Sequence, residues 1–259
     1  MKDILKTIIQ HKFQEIKELK KRYGSFRIPS TNRSGLKAIL RSGIRVKIIP
    51  ELKPSSPSEG PLFRPSRTNL IRIIKSYDRF PLGAISILTD KKFFNGSFEN
   101  IGLARTLTSQ PILCKEFIVD PYQIKLARYF GADAILLIAE ALSFTRLLIL
   151  YQYARSLGMD VLFEFHHPSS LPPLLDNSVE IIGINNRDLS TLKISPRKCL
   201  SLRKRIPSGR IIVAESGLEN KKDILKLARH HFHAALIGTS ILKSRDMEKK
   251  LRELVYYDE

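Results

Sequence analysis

From residue 46 onward the sequence repeats one pattern eight times. A run of four to six mostly apolar residues is followed by a longer stretch with room for a helix. The runs are Val46–Glu51, Ala84–Leu88, Ile112–Phe117, Ala134–Ile138, Val161–Phe165, Ile181–Asn185, Ile211–Glu215 and Ala234–Ile237. Most are continuous rather than alternating, as strands buried on both faces require. Pro121–Phe130, Ser143–Leu157 and Lys221–His230 have helical length, and Gly131, Gly158 and Gly183 fall where helices end or strands begin. Eight units in residues 46–259 give about 27 residues each, the range of a (β/α)8 barrel. An open doubly wound sheet usually carries a glycine-rich fingerprint after its first strand, where this chain has Lys53-Pro-Ser-Ser-Pro-Ser. Pro172 and Pro173 argue against a long helix in the unit over 166–179.

The first 45 residues stand outside this repeat. Ile4, Leu5, Ile8, Ile9, Phe13, Ile16 and Leu19 recur at helical spacing over residues 3–21, with a Lys/Glu-rich opposite face. A basic amphipathic helix can lie on a membrane or on nucleic acid, but more often it packs on its own domain. Gly24, Pro29, Asn32, Ser34 and Gly35, followed by Leu36 to Leu40, read as a loop and a short helix. The expected organisation is a single domain: an α/β (β/α)8 TIM barrel over residues 46–259 with an N-terminal helical extension over residues 1–45.

Charge narrows the partners. Lys and Arg number 44 against 25 Asp and Glu, a net of +19. Such a surface attracts anions without naming one. Aromatics interleaved with basic residues, the mark of a single-strand platform, are not evident, so no specific nucleic acid is expected. No apolar run approaches the length of a membrane span, and the N-terminus lacks the apolar core of a signal peptide. Cys114 and Cys199 are too few for a disulfide framework. The expectation is a soluble cytoplasmic protein without membrane partners, a monomer or at most a weak oligomer, acting on an anionic small molecule.

Polar residues sit at the C-terminal ends of the apolar runs. Glu51 and Lys53 end the first, Lys115 lies in the third, Glu164 in the fifth, Asn185 in the sixth, and Glu215 and Ser216 close the seventh. A charge in a buried strand is costly unless it is paired or used. In a barrel these ends form one rim, where barrel enzymes keep their chemistry. Ser216-Gly217 and Gly238-Thr239-Ser240 then supply turns with backbone N–H groups suited to phosphate. The plainer alternative is capping by Thr239 or Ser240.

Seven segments carry a family resemblance. They are Ile49-Pro-Glu-Leu-Lys-Pro-Ser-Ser-Pro-Ser-Glu-Gly60, Ile85-Ser-Ile-Leu-Thr-Asp-Lys-Lys-Phe-Phe-Asn-Gly-Ser97, Pro111-Ile-Leu-Cys-Lys-Glu-Phe-Ile-Val-Asp-Pro-Tyr-Gln-Ile124, Gly131-Ala-Asp-Ala-Ile-Leu-Leu-Ile138, Ile181-Ile-Gly-Ile-Asn-Asn-Arg-Asp-Leu189, Ala214-Glu-Ser-Gly-Leu218 and Leu236-Ile-Gly238. In order and spacing the chain resembles the indole-3-glycerol phosphate synthase family over nearly its whole length. The resemblance implies conversion of 1-(2-carboxyphenylamino)-1-deoxyribulose 5-phosphate to indole-3-glycerol phosphate, CO2 and water, without a cofactor or metal. It implies Lys115 as the acid for ring closure and Glu164 as the base for dehydration. Lys53 becomes a second substrate-binding lysine oriented by Glu51, and Asn185 and Glu215 position the substrate. Ser216 completes this set and joins Ser56, Gly217, Gly238 and Thr239 around the phosphate. Pro57, Phe94, Phe117, Leu136, Leu189 and Ile237 would wall the aromatic end. Arg187 would face the substrate carboxylate or form a rim salt bridge. A phosphoribosylanthranilate isomerase would instead use a Cys/Asp pair and lack the Glu51, Lys53 and Lys115 set.

The chain departs from the family pattern at Thr239, at Glu116 after Lys115, at Pro50, and at Phe165-His166-His167-Pro168. Proline in a central strand removes a ladder donor, so Pro50 is expected to bend the first strand. Glu116 is expected to point away from Lys115, and Cys114 to lie inert in the helix layer. His230, His231 and His233 cluster without an acidic or cysteine partner, so no metal site is expected there.

Overall fold

The computed structural model describes residues 4–29, 35–177 and 179–259. Eight parallel strands close into a barrel: β1 Lys47–Leu52, β2 Ile85–Leu88, β3 Ile112–Lys115, β4 Ala134–Ile138, β5 Asp160–Phe165, β6 Ile181–Asn185, β7 Ile211–Glu215 and β8 Ala234–Ile237. Each pairs with its sequence neighbours, and β1 closes the ring against β8. The expected runs coincide with these strands to within two residues. The largest difference is in β3, which ends at Lys115. The backbone N–H of Phe117 turns to the Glu116 side chain instead of a strand neighbour.

Period-two alternation divides the apolar residues into two layers. Ile49, Leu113, Leu136, Leu162, Val213 and Leu236 fill the barrel interior. Ile48, Ile87, Cys114, Phe163, Ile184 and Ile237 face the helices. Those helices are long on some units and short on others. The adjacent Pro172 and Pro173 limit the helix after β5 to Leu171–Asp176, behind a single 3-10 turn at Pro168–Ser170. Pro50 lies in register with Ile237 and does not interrupt β1, which runs on to Leu52.

Two helices precede the barrel. The first, α1 (Ile4–Tyr23), buries Leu5, Ile8, Ile9 and Ile16 against the domain. It is therefore a packing helix. Its apolar stripe differs from the sequence expectation at two positions. Phe13 is 43% exposed, whereas Lys12, one turn from Ile8 and Ile16, is 1% exposed. The second, α2 (Leu36–Arg41), places Leu36 and Leu40 in the interior cluster with Ile49, Ala84 and Ile211. It is held at the strands' N-terminal end, where the Asp160 carboxylate at the start of β5 accepts from the Lys37 backbone N–H at 2.8 Å. Asn32 and Ser34, part of the expected loop, lie outside the described residues.

Candidate active site

The register sets the strand ends level. Leu88 pairs with Lys115, Ile138 with Glu164, and Asn185 with Glu215. The polar residues at these ends therefore meet around one cavity of about 430 Å³ at the C-terminal mouth. All eighteen residues singled out from the sequence line it.

The Lys115 ammonium forms its floor, 2.9 Å from Glu164 Oε2 and 2.5 Å from Glu215 Oε2. Glu164 Oε1 accepts from Asn185 Nδ2 at 2.8 Å, and Asn185 Oδ1 accepts from the Arg187 backbone N–H at 2.9 Å. A second pair, Lys53 with Glu51 at 2.8 Å, lies on the β1 side. These charges are buried, so their proton affinities shift. Burial disfavours the Lys115 ammonium, but Glu164, Glu215 and Glu51 outweigh it and raise its pKa. Burial, then the neighbouring Glu164 charge, pushes Glu215 up to about 8. One ammonium cannot neutralise two buried carboxylates, which is why the proton affinity of Glu215 rises. Glu51 stays below its ordinary value despite burial, because Lys53 and Lys115 favour its anion.

Glycines make room for these acids. A Cβ on Gly183 would meet Glu215 Oε1 at 2.3 Å, and one on Gly238 would meet Glu51 Oε2 at 2.8 Å. Gly238 also opens the short helix Thr239–Leu242 as its N-terminal flank. Neither Thr239 nor Ser240 caps that helix, which removes the plainer reading of this turn. The Ser240 hydroxyl donates instead to the Leu218 carbonyl. Across from it, Ser216 (φ 65°) and Gly217 (φ 68°) are both left-handed. For Ser216 this is a strained conformation, held at the cavity edge. Consecutive left-handed and turn residues aim backbone N–H groups into a concavity. Ser56 stands in the two-residue hairpin Ser55–Ser56/Gly60–Pro61, with its hydroxyl accepting from the Glu59 N–H at 3.2 Å.

The apolar wall is built by Pro57, Phe94, Phe117, Leu136 and Leu189, with the Phe94 and Phe117 rings 5.8 Å apart. Ile237 borders the cavity, but its side chain belongs to the helix-facing layer, and the inward residue on β8 is Leu236. Arg187 forms no ion pair among the described residues, and its guanidinium donates to the Leu192 carbonyl at 3.1 Å. The rim salt bridge considered for it is thus not formed.

Sequence reasoning missed the support behind this wall. Lys12 Nζ lies 2.7 Å from Glu15, 2.7 Å from Asp90 and 2.8 Å from Glu116. Asp90 in turn accepts from the Phe93 and Phe94 N–H groups, and Glu116 from the Phe117 N–H and the Thr89 hydroxyl. The alternation argument held for Glu116, which turns away from Lys115. No local signal marks Lys12, because its partners lie on other elements. Also missed were Glu59 and Lys243, which form a 2.5 Å ion pair over the mouth. Cys114 packs in the helix layer, where burial raises its thiol pKa above the ordinary range. His230, His231 and His233 do not converge. The His233 ring accepts from the Ile212 N–H, and the His230 ring meets the Lys226 carbonyl.

Known proteins resemble this chain in sequence and in fold. The family described as indole-3-glycerol phosphate synthase matches residues 5–254. An indole-3-glycerol phosphate synthase of Caldanaerobacter subterraneus subsp. tengcongensis is 38% identical, over 97% of both chains. One from Campylobacter fetus is 40% identical over 85% of this chain and 84% of that protein. The tryptophan biosynthesis protein TrpCF of Helicobacter pylori is 39% identical over 98% of this chain, which spans 55% of that longer protein. Among solved structures, a tryptophan synthase alpha-subunit from Pyrococcus furiosus superposes with a TM-score of 0.61 at 16% identity. It covers 80% of this chain and 97% of its own, a likeness of fold alone. By family match and by relatives that align along almost its full length, the chain belongs to the indole-3-glycerol phosphate synthase family.

Proposed function

We propose that the chain converts 1-(2-carboxyphenylamino)-1-deoxyribulose 5-phosphate to indole-3-glycerol phosphate, CO2 and water, using the cavity at the mouth of the barrel. The observation that carries this reading is the Lys115 ammonium held between Glu164 and Glu215 on the floor, with a phosphate-type turn on the rim. The ribulose phosphate binds Ser56, Ser216, Gly217, Gly238 and Thr239. The anthranilate ring lies against Phe94, Phe117, Leu136 and Leu189. Its carboxylate faces Lys53 and Arg187, two cations that line the cavity.

Ring closure joins the carboxylate-bearing ring carbon to the ketose carbonyl carbon. Lys115 protonates the carbonyl oxygen as this bond forms. The carbon–carboxylate bond then breaks, CO2 leaves, and its electron pair restores the aromatic ring. The new hydroxyl departs as water after protonation, while Glu164 takes the proton from the adjacent carbon. That electron pair forms the double bond of the indole. Glu51 holds Lys53 charged and oriented, and Asn185 holds Glu164. Glu215, carrying a proton near neutrality, donates to a substrate hydroxyl. The positive surface assists encounter with a doubly anionic substrate. No described helix is long and apolar enough to cross a membrane, and we place this activity in the cytoplasm.

Indole fluorescence tests the assignment, with wild type beside Lys115→Ala and Glu164→Gln. Turnover that collapses in both, with circular dichroism unchanged, supports the reaction and the two roles. A wild-type chain that binds the substrate but releases no indole product refutes it.

A further inference from the structure

A second convergence of side chains lies on the same rim, outside the cavity. Glu140 follows β4, His166 and His167 follow β5, and Asp188 follows β6. His166 is 3% exposed. Its Nδ1 stands 3.1 Å from Glu140 Oε2. Its Nε2 has no hydrogen bond among the described residues and points toward Asp188 Oδ1 at 3.6 Å. The His167 ring stacks edge-on to it with centroids 5.5 Å apart. One ligand atom from each of His166, His167 and Asp188 lies within 4.8 Å of the others.

Two features distinguish this group from an ordinary salt bridge. The first is the locked orientation of Glu140. Its Oε1 accepts from the His166 N–H at 3.1 Å, the His167 N–H at 2.9 Å and the Ser170 hydroxyl at 2.7 Å. Glu140 thus presents Oε2 to His166 Nδ1 at 3.1 Å, a charge contact in which neither atom forms a hydrogen bond among the described residues, and leaves Nε2 toward Asp188. A carboxylate on the far nitrogen is the usual support of a metal-bound histidine. The second is charge. In a chain of net +19, no Lys or Arg among the described residues pairs with Glu140 or Asp188. At the cavity floor, by contrast, Lys115 fills the space between two acids.

We propose that His166 Nε2, His167 and Asp188 form a divalent-cation site of zinc-like preference, oriented by Glu140. Two imidazoles and one carboxylate are borderline donors, suited to Zn2+ rather than Mg2+ or Ca2+. Zinc at its usual bond lengths of about 2.0–2.2 Å needs ligand atoms about 3.3 Å apart. The exposed His167 and the partly exposed Asp188 close that gap by side-chain rotation. Asp188 Oδ1 already accepts from Ser190 and Thr191, which leaves Oδ2 for the ion. A bound ion ties together the loops after β4, β5 and β6. The last of these carries Arg187 and Leu189 into the cavity. The site stands apart from the proposed reaction and does not depend on it.

The test is calorimetric titration of ZnCl2 into the untagged, chelator-stripped chain at pH 7.5. One equivalent is expected to bind. Glu140→Gln weakens binding roughly 10–100-fold, the range for loss of a supporting carboxylate. His167→Ala and Asp188→Asn weaken it at least as much. His167 is exposed, so its variant tests the site without disturbing the fold. Saturating zinc raises the thermal midpoint of wild type but not of His167→Ala. His230→Ala/His231→Ala binds like wild type, and Mg2+ does not compete. The proposal is overturned if wild type takes up no stoichiometric zinc. It is also overturned if His167→Ala and Asp188→Asn bind as tightly as wild type, or if the His230/His231 pair accounts for the binding.

Discussion

Replacing Lys12 by Met removes one charge and little volume from the least accessible cation among the described residues. The ammonium has Asp90 and Glu116 within 2.8 Å, and both acids are at most 1% exposed. Removing one member of a buried ion group leaves the others uncompensated, at a cost of about 3–5 kcal/mol. That is a large share of the ~5–15 kcal/mol that holds a typical domain together. With a urea m-value of about 3 kcal/mol/M, the unfolding midpoint falls by roughly 1–1.7 M. The loss depends on pH in a stated direction. Burial already raises Glu116 above its ordinary value of 4.5, and Lys12 is the main group pulling it back. Without Lys12 the folded-state pKa rises further, so the folded chain takes up a proton that the unfolded chain releases. The deficit is largest above neutrality and shrinks as pH falls toward 4.5. Urea unfolding of wild type and Lys12→Met at pH 5 and pH 8 measures it. Adding Glu116→Gln removes one of the stranded charges, so the double variant loses less than the sum of the single losses. A loss under about 1 kcal/mol at pH 8, or one equal at both pH values, would mean that Lys12 does not neutralise Asp90 and Glu116 in the fold.

Two further outcomes follow from the site. Glu215 is raised to about 8 in the folded chain against an ordinary 4.5. Its stabilising contribution is present below 4.5 and is lost as pH rises through about 8. Glu215→Gln should therefore gain stability relative to wild type between pH 5 and pH 9, read from denaturant midpoints. Parallel pH curves contradict it. Gly238→Ala introduces a Cβ 2.8 Å from Glu51 Oε2 and 3.2 Å from Glu51 Cβ. The backbone there has a negative φ of −118°, so the substitution does not meet the left-handed penalty. The expected result is at least tenfold lower kcat/KM, since small displacements of a catalytic group are costly. The circular dichroism spectrum stays unchanged. Wild-type turnover in this variant shows that the Glu51–Lys53 placement does not matter.

The barrel was legible because buried parallel strands write themselves as continuous apolar runs, and chain order then dictates strand order. The cavity residues were legible for a related reason. A polar residue at the C-terminal end of such a run has one place to go in a closed barrel, and the family resemblance added the roles. Alternation alone was less secure at β8, where one position decides between the interior and the helix layer. Leu236 faces inward and Ile237 outward.

Local sequence thus determined the period of each element, its polar end and its place in the ring. Partner choice belonged to the tertiary structure. Lys12 reads as one more charge on a basic helix until barrel closure brings Asp90 and Glu116 to its ammonium. His166 and His167 read as a departure in a loop until β4 and β6 set Glu140 and Asp188 beside them. Ionic and metal-type contacts act over a few ångströms, and such distances between residues far apart in the chain exist only once the strands have closed.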